Sequence, residues 1–142
     1  MSISDPIADA LAKIRNAIMS KHQSVDVWGT NMIMRILEVL KQEGYIADIE
    51  LLDAEKQTVK KEPVKVGKKV RVMLKYSKEM KSAIHGIKRI SKPSRRIYVS
   101  SQDIPSVRNN LGVMIVSTSV GVVTGKYAKS RLIGGELICS VW

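Results

Sequence analysis

The hydrophobic period of this chain changes along its length, and that change restricts the fold more than any other feature. Ile7, Leu11, Ile14 and Ile18 recur at helical spacing behind Asp5-Pro6, a capping acid and a proline suited to a first helical turn. Ile33, Ile36, Leu37 and Leu40 form a second helical stripe between the capping pair Thr30-Asn31 and the terminator Gly44. Val70, Val72, Leu74 and Tyr76 instead alternate with Lys69, Arg71, Met73 and Lys75, the period of a half-buried strand with a basic face. With 45–52 read as another strand, the first half takes the order α-β-α-β-β, two helices on a small antiparallel sheet.

The second half uses shorter elements. Residues 78–81 read as a link, 84–90 as an apolar-basic run, Lys92-Pro93-Ser94 as a turn, and 96–99 as the continuing strand. A short helix is expected from Asp103-Ile104-Pro105 to about Asn109-Asn110. A buried strand follows over 112–117, a short helix over 124–131 and a closing strand over 135–142. The class is α+β, in two small α/β subdomains. Residues 1–78 carry two helices on an antiparallel sheet, and residues 79–142 are mostly β with short helices. The polar, lysine-rich segment 53–67 reads as a loop or an irregular hairpin connection.

Charge is distributed unevenly. Of a net +11, residues 60–96 hold fourteen Lys/Arg against Glu62 and Glu79, while the rest of the chain is slightly acidic. Charge gathered in one segment is the footprint of a polyanion, with nucleic acid ahead of an anionic membrane surface or a merely solvated face. No apolar run approaches the roughly 18 residues that span a bilayer. The opening residues lack the h-region of a signal peptide and the Arg/Ser richness of a transit peptide, so the chain is expected to work where it is made. A single cysteine, Cys139, excludes an intramolecular disulfide or a cysteine zinc site and reads as a buried thiol. His22 and His85 have no third ligand at metal spacing. Neither a metal nor a cofactor is expected.

The most apolar run, LGVMIV (111–116), leads into STSVGVVTG (117–125). A nucleophile needs an adjacent base, yet neither histidine has a local partner and the Gly-x-Ser-x-Gly spacing is absent. A phosphate loop needs four residues between its glycines and Ser or Thr after its lysine. Here three separate Gly121 from Gly125, and Tyr127 follows Lys126. Two readings stay open on the residues alone. Hydroxyls at a turn reach base edges and 2′-hydroxyls in the shallow minor groove of RNA, with Gly121 permitting close approach. A polar hairpin end is the plainer alternative. Lys88, Arg89, Lys92, Arg95 and Arg96 surround Pro93 and Tyr98, offering cations to phosphates and a ring that either stacks or packs on the core. On the first helix Asp9, Lys13 and Asn16, with Arg15 on the flank, are either solvated or a contact face.

Three stretches carry a resemblance. DPIADALAKIRNA (5–17), KRISKPSRRIY (88–98) and IVSTSVGVVTGKYAKSRLIGGELICSVW (115–142) resemble the bacterial-type small-subunit ribosomal proteins of the S-eight family, in order and nearly end to end. The STS-x-G-x-x-T element with its later GGE-x-x-C is the most specific part. The resemblance implies a non-enzymatic, primary binder of small-subunit rRNA that contacts the central domain early in assembly, beside other small-subunit proteins. No membrane or small-molecule substrate is implied. It assigns the main RNA determinant to Ser117, Thr118, Ser119 and Gly121, with Thr124 close by and Glu136 ordering the loop or accepting from it. Lys92, Arg96 and Tyr98 match the central motif, with Lys88, Arg95 and Lys126 as cations beside these elements. Asp5, Lys13, Arg15 and Asn16 match an N-terminal element that in the family meets a second rRNA helix.

The chain also departs from the family pattern. Ser94-Arg95 stands where Gly-Leu is usual, and Gly125-Lys126 where Asp-Arg is common, which removes a capping acid. Asn31 and Ile33 lie where bacterial members usually carry lysines, and 53–67 is longer than in many of them. Thr30-Asn31 and the terminal Cys-Ser-Val-Trp look more like plastid members. The resemblance therefore implies the plastid stroma, with the bacterial cytoplasm as the alternative.

Overall fold

A computed structural model of the chain describes residues 5–52 and 68–142. The connection expected at 53–67 lies outside the described residues. Helix α1 (Pro6–Met19) begins where the Asp5 carboxylate accepts from the Ala8 amide, and it buries Ala10, Leu11, Ile14 and Ala17. Strand β1 (Ser24–Gly29) supplies the strand between the two helices, in a stretch where only Val25 and Val27 alternate. Helix α2 (Asn31–Gln42) is capped by the Thr30 hydroxyl, which accepts from the Ile33 amide. Strands β2 (Ile46–Leu51) and β3 (Lys68–Leu74) complete an antiparallel sheet of order β1-β3-β2, with Val70 and Val72 fully buried on its helix-facing side. The α-β-α-β-β order is therefore observed.

The second sheet joins β4 (Ile87–Arg89), β5 (Tyr98–Val99), β6 (Val113–Thr118), β7 (Gly121–Thr124) and β8 (Gly135–Val141). Its order is β4-β8-β6-β7, with β5 also paired to β8, and every pairing is antiparallel. The short helix α3 (Gly125–Ser130) connects β7 to β8. Both faces of this sheet are covered. Ile115 and Cys139 are paired, as are Val116 and Leu137, so Ile138 is an extra residue in β8. That bulge re-aims the strand. Ile115, Cys139 and Val141 join the aliphatic core of α1, α2 and the first sheet, whereas Met114, Val116 and Leu137 pack with Ile104, Val107 and Ala128. Cys139 is fully buried, and burial pushes its thiol up to about 12, so it is an inert core side chain as expected. The α+β class holds, with two helices on a three-stranded sheet followed by a mostly β half.

One expected element is corrected. No helix runs from Asp103 to Asn110; a 3-10 turn occupies Ser101–Asp103 and irregular chain follows. The cause is Pro105, which disfavours helical backbone in the residue before it. Ile104 is accordingly extended (φ −71°, ψ 119°) and buries its side chain instead. Arg108, Asn109 and Asn110 then turn the chain in the left-handed region, where asparagine is enriched.

Candidate nucleic-acid interface

The hydroxyl-rich stretch is the tip of the β6–β7 hairpin. Thr118 pairs with Gly121, leaving Ser119-Val120 as a two-residue turn. Neither turn residue has positive φ, so the reversal falls on Gly121 at +123°, a conformation that L side chains rarely adopt. The space a Cβ would occupy there is open, with nothing within 4 Å.

The hydroxyls divide by task. Thr118 donates to the Gly121 carbonyl at 2.8 Å and accepts from the Val120 amide at 3.2 Å, so it holds the turn closed. Thr124 accepts from the Tyr127 amide at 3.1 Å and caps α3, which replaces the acid missing at Gly125-Lys126. Ser119 is exposed, Ser117 is half-buried, and neither hydroxyl has a hydrogen bond among the described residues. The plain hairpin reading thus accounts for Thr118 and Thr124 but leaves both serines without work.

Strand register brings the other candidates to Ser117. Tyr98 pairs with Glu136, Glu136 with Ser117, and Ser117 with Val122, so these four side chains form one row across β5, β8, β6 and β7. The two glycines before Glu136 make the row possible. A Cβ on Gly135 would strike the Ser117 carbonyl oxygen, and one on Gly134 the Val99 carbonyl oxygen. Tyr98 is 67% exposed, which removes its packed alternative. The Glu136 side chain is 12% exposed and pairs with the Arg96 guanidinium at 3.4 Å, so its partner is Arg96 rather than a loop hydroxyl.

The 92–95 turn projects beside this row. Lys92 and Arg95 exchange backbone hydrogen bonds at 3.0 and 2.9 Å, so the turn closes with Ser94-Arg95 in place of Gly-Leu. Beneath it, the buried Ser91 hydroxyl accepts from the Ile97 amide at 2.9 Å. Lys88, Lys92, Arg95 and Lys126 are each exposed, so their charges are accessible to an anionic partner. Arg131 lies over the Tyr127 ring at 5.2 Å, a pair that sequence spacing alone did not single out.

The first helix contributes differently. Asp5 and Arg89 form an ion pair at 3.2 Å with side chains only 15% and 11% exposed, and Arg15 donates to the Ile87 carbonyl at 2.6 Å. Both bind α1 to β4. Lys13 (in an exposed pair with Asp9) and Asn16 remain on the solvent face.

The family described as Ribosomal protein S8 matches residues 5–142. Proteins named small ribosomal subunit protein uS8 from Limosilactobacillus reuteri, Lactobacillus helveticus and Geotalea daltonii are 49%, 48% and 46% identical to this chain, each aligned over the whole of both chains. These relatives are bacterial. The plastid features read at residues 30–31 and 139–142 find no support among them, and the bacterial alternative is favoured.

Proposed function

The chain belongs to the ribosomal protein S8 family, small-subunit constituents and not an enzyme class, and from that premise we propose that it is a primary rRNA-binding protein. It contacts the central domain of small-subunit rRNA and supports assembly of the subunit beside neighbouring ribosomal proteins, in the bacterial cytoplasm. Residues 79–142 are the proposed RNA-binding subdomain and residues 1–78 its companion. The observation that carries this reading is the row Tyr98, Glu136, Ser117 beside the exposed Ser119: the Tyr98, Ser117 and Ser119 hydroxyls have no hydrogen-bond partner among the described residues, and Glu136 is held by Arg96 next to the cations of the 92–95 turn. Ser117, Ser119 and Tyr98 contact the RNA directly. Lys88, Lys92, Arg95, Arg96 and Lys126 bind phosphates, and Thr118, Gly121, Thr124 and Glu136 shape the surface. Lys13 and Asn16 meet a second RNA segment, with Arg15 as their support. No cofactor, membrane or small-molecule substrate enters this reading; among the described residues no helix is long and apolar enough to cross a membrane.

Footprinting of the whole protein on small-subunit rRNA tests the proposal. A discrete protected helix in the central domain is the expected result, and a uniform or absent footprint overturns it. Affinity should fall steeply with salt, because each neutralised phosphate adds roughly 0.7–0.9 to the log–log slope. A flat response is incompatible with the assigned cations. Ser119→Ala should weaken binding by about 1–2 kcal/mol through loss of one hydrogen bond, with an unchanged melting curve, since the hydroxyl has no partner inside the chain. A lowered melting temperature would instead make the serine structural.

A further inference from the structure

The RNA-facing row does not end at the hairpin. Val122, paired with Ser117, also lines an open groove of about 490 Å³ between the hairpin tip and the exposed side of α2. Arg35, Glu38 and Gln42 of α2 form one wall, and Ser119, Gly121 and Val122 form the other. Arg35, Glu38 and Gln42 fall at i, i+3 and i+7, so they share one helix face. All three are exposed, and neither Arg35 nor Glu38 has an ion-pair partner among the described residues.

We propose that this groove receives one unpaired guanine base of the bound RNA, with Glu38 reading its Watson–Crick edge. The inference rests on the RNA-binding function proposed above and extends it to residues of the first half of the chain. A carboxylate at the border of a phosphate-binding surface repels phosphate, so a polyanion can occupy this position only with an uncharged donor group. Guanine presents adjacent N1–H and N2–H donors that match the two oxygens of a carboxylate. Its O6 and N7 form an acceptor pair that suits a guanidinium, here Arg35, and Gln42 and Ser119 both donate and accept. Adenine would turn the N1 lone pair toward Glu38, and uracil offers one donor between two acceptors. Cytosine offers a single amino group, so it is the weaker competitor. The groove volume lies within the roughly 300–1,000 Å³ of ordinary ligand sites. The open space over Gly121 leaves the approach unobstructed.

Chemical modification of guanine N1 and N2 in small-subunit rRNA, with and without the whole protein, tests the assignment. One unpaired guanine should become protected on binding. With Glu38→Ala that guanine should become reactive again and affinity should fall about tenfold, while the hairpin's own footprint persists. Replacing the protected guanine by inosine, which lacks the N2 amino group, should weaken the wild-type protein and leave Glu38→Ala without further loss. Glu38 is exposed, so melting should not change, and Glu38→Gln repeats the test with an isosteric side chain. Protection of no guanine, protection of a cytosine, or equal protection by wild type and Glu38→Ala overturns the inference while leaving the rRNA footprint intact. Absence of any rRNA footprint overturns the function itself. Saturable binding of guanosine monophosphate without RNA would assign the groove to a free nucleotide and overturn the RNA-base assignment.

Discussion

Gly135→Ala is expected to lower stability by about 3 kcal/mol and to weaken rRNA binding about a hundredfold. The added methyl lands on the Ser117 carbonyl oxygen, with the Ser117 carbonyl carbon at 3.0 Å and Val116 Cγ1 at 3.1 Å. Two of these three atoms are backbone inside a paired strand, which cannot turn aside as a side chain would. Strands β6 and β8 must separate at the position where Ser117 and Glu136 face each other. Overpacking of this kind costs about 1–3 kcal/mol, and more when backbone is the obstacle. Loss of the two RNA hydrogen bonds proposed for that register, at about 1–1.5 kcal/mol each, corresponds to the hundredfold change. Thermal melting and rRNA-fragment binding, both measured well below the new midpoint, check the two effects. Gly121→Ala is the control. Its methyl meets nothing, so only the strain of φ +123° remains, about 1–3 kcal/mol. Equal binding by wild type and Gly135→Ala would detach the GGE element from the RNA site.

How much of this was legible in the sequence depended on whether a signal was local. Both long helices could be read because cap, stripe and terminator lie within one window, as at Thr30, Ile33 and Gly44. The buried strand before the hairpin was equally plain. Strand β1 left little trace, since its outward residues Asp26 and Trp28 are of no one type and only two valines alternate. The helix expected from Asp103 failed because Pro105 acts backward on Ile104, an effect that a capping pattern does not register. At the candidate interface, the STS and GGE motifs pointed to two segments that the fold brings together, but not to the division of labour among the hydroxyls. That Thr118 closes its own turn while Ser119 stays free is decided by the direction of two hydrogen bonds. The α2 wall of the groove left no signal at all, because Arg35, Glu38 and Gln42 look like any solvated helix face until the hairpin is folded against them.

Arg89→Met is expected to destabilise the protein by about 3–4 kcal/mol, although this arginine sits among cations that sequence reasoning assigned to RNA. Its guanidinium donates to both Asp5 oxygens, at 3.2 and 3.4 Å, and to the Ile138 carbonyl at 2.8 Å. It therefore joins the cap of α1 to the bulge in β8, residues at opposite ends of the chain. Removing one partner of a shielded pair leaves the other charge unpaired, which costs about 3–5 kcal/mol. Solvent still reaches 15% of the Asp5 side chain, so the lower part of that range applies. Asp5→Asn combined with Arg89→Met should recover part of the loss, because the stranded charge is then gone. The Arg71–Asp26 pair on the outer face of the first sheet is the contrast. Arg71 holds the Asp26 carboxyl below the usual carboxylate range through a hydrogen bond, yet both side chains are more than a third exposed, and Arg71→Met should leave the melting temperature almost unchanged. One core runs from α1 and α2 into the inner face of the second sheet, so the proposed subdomains should unfold together. For Arg89→Met, a single transition shifted down by roughly 10 °C is the expected calorimetric result. Two separated transitions would mean that the arginine, and not the shared apolar core, holds the halves together.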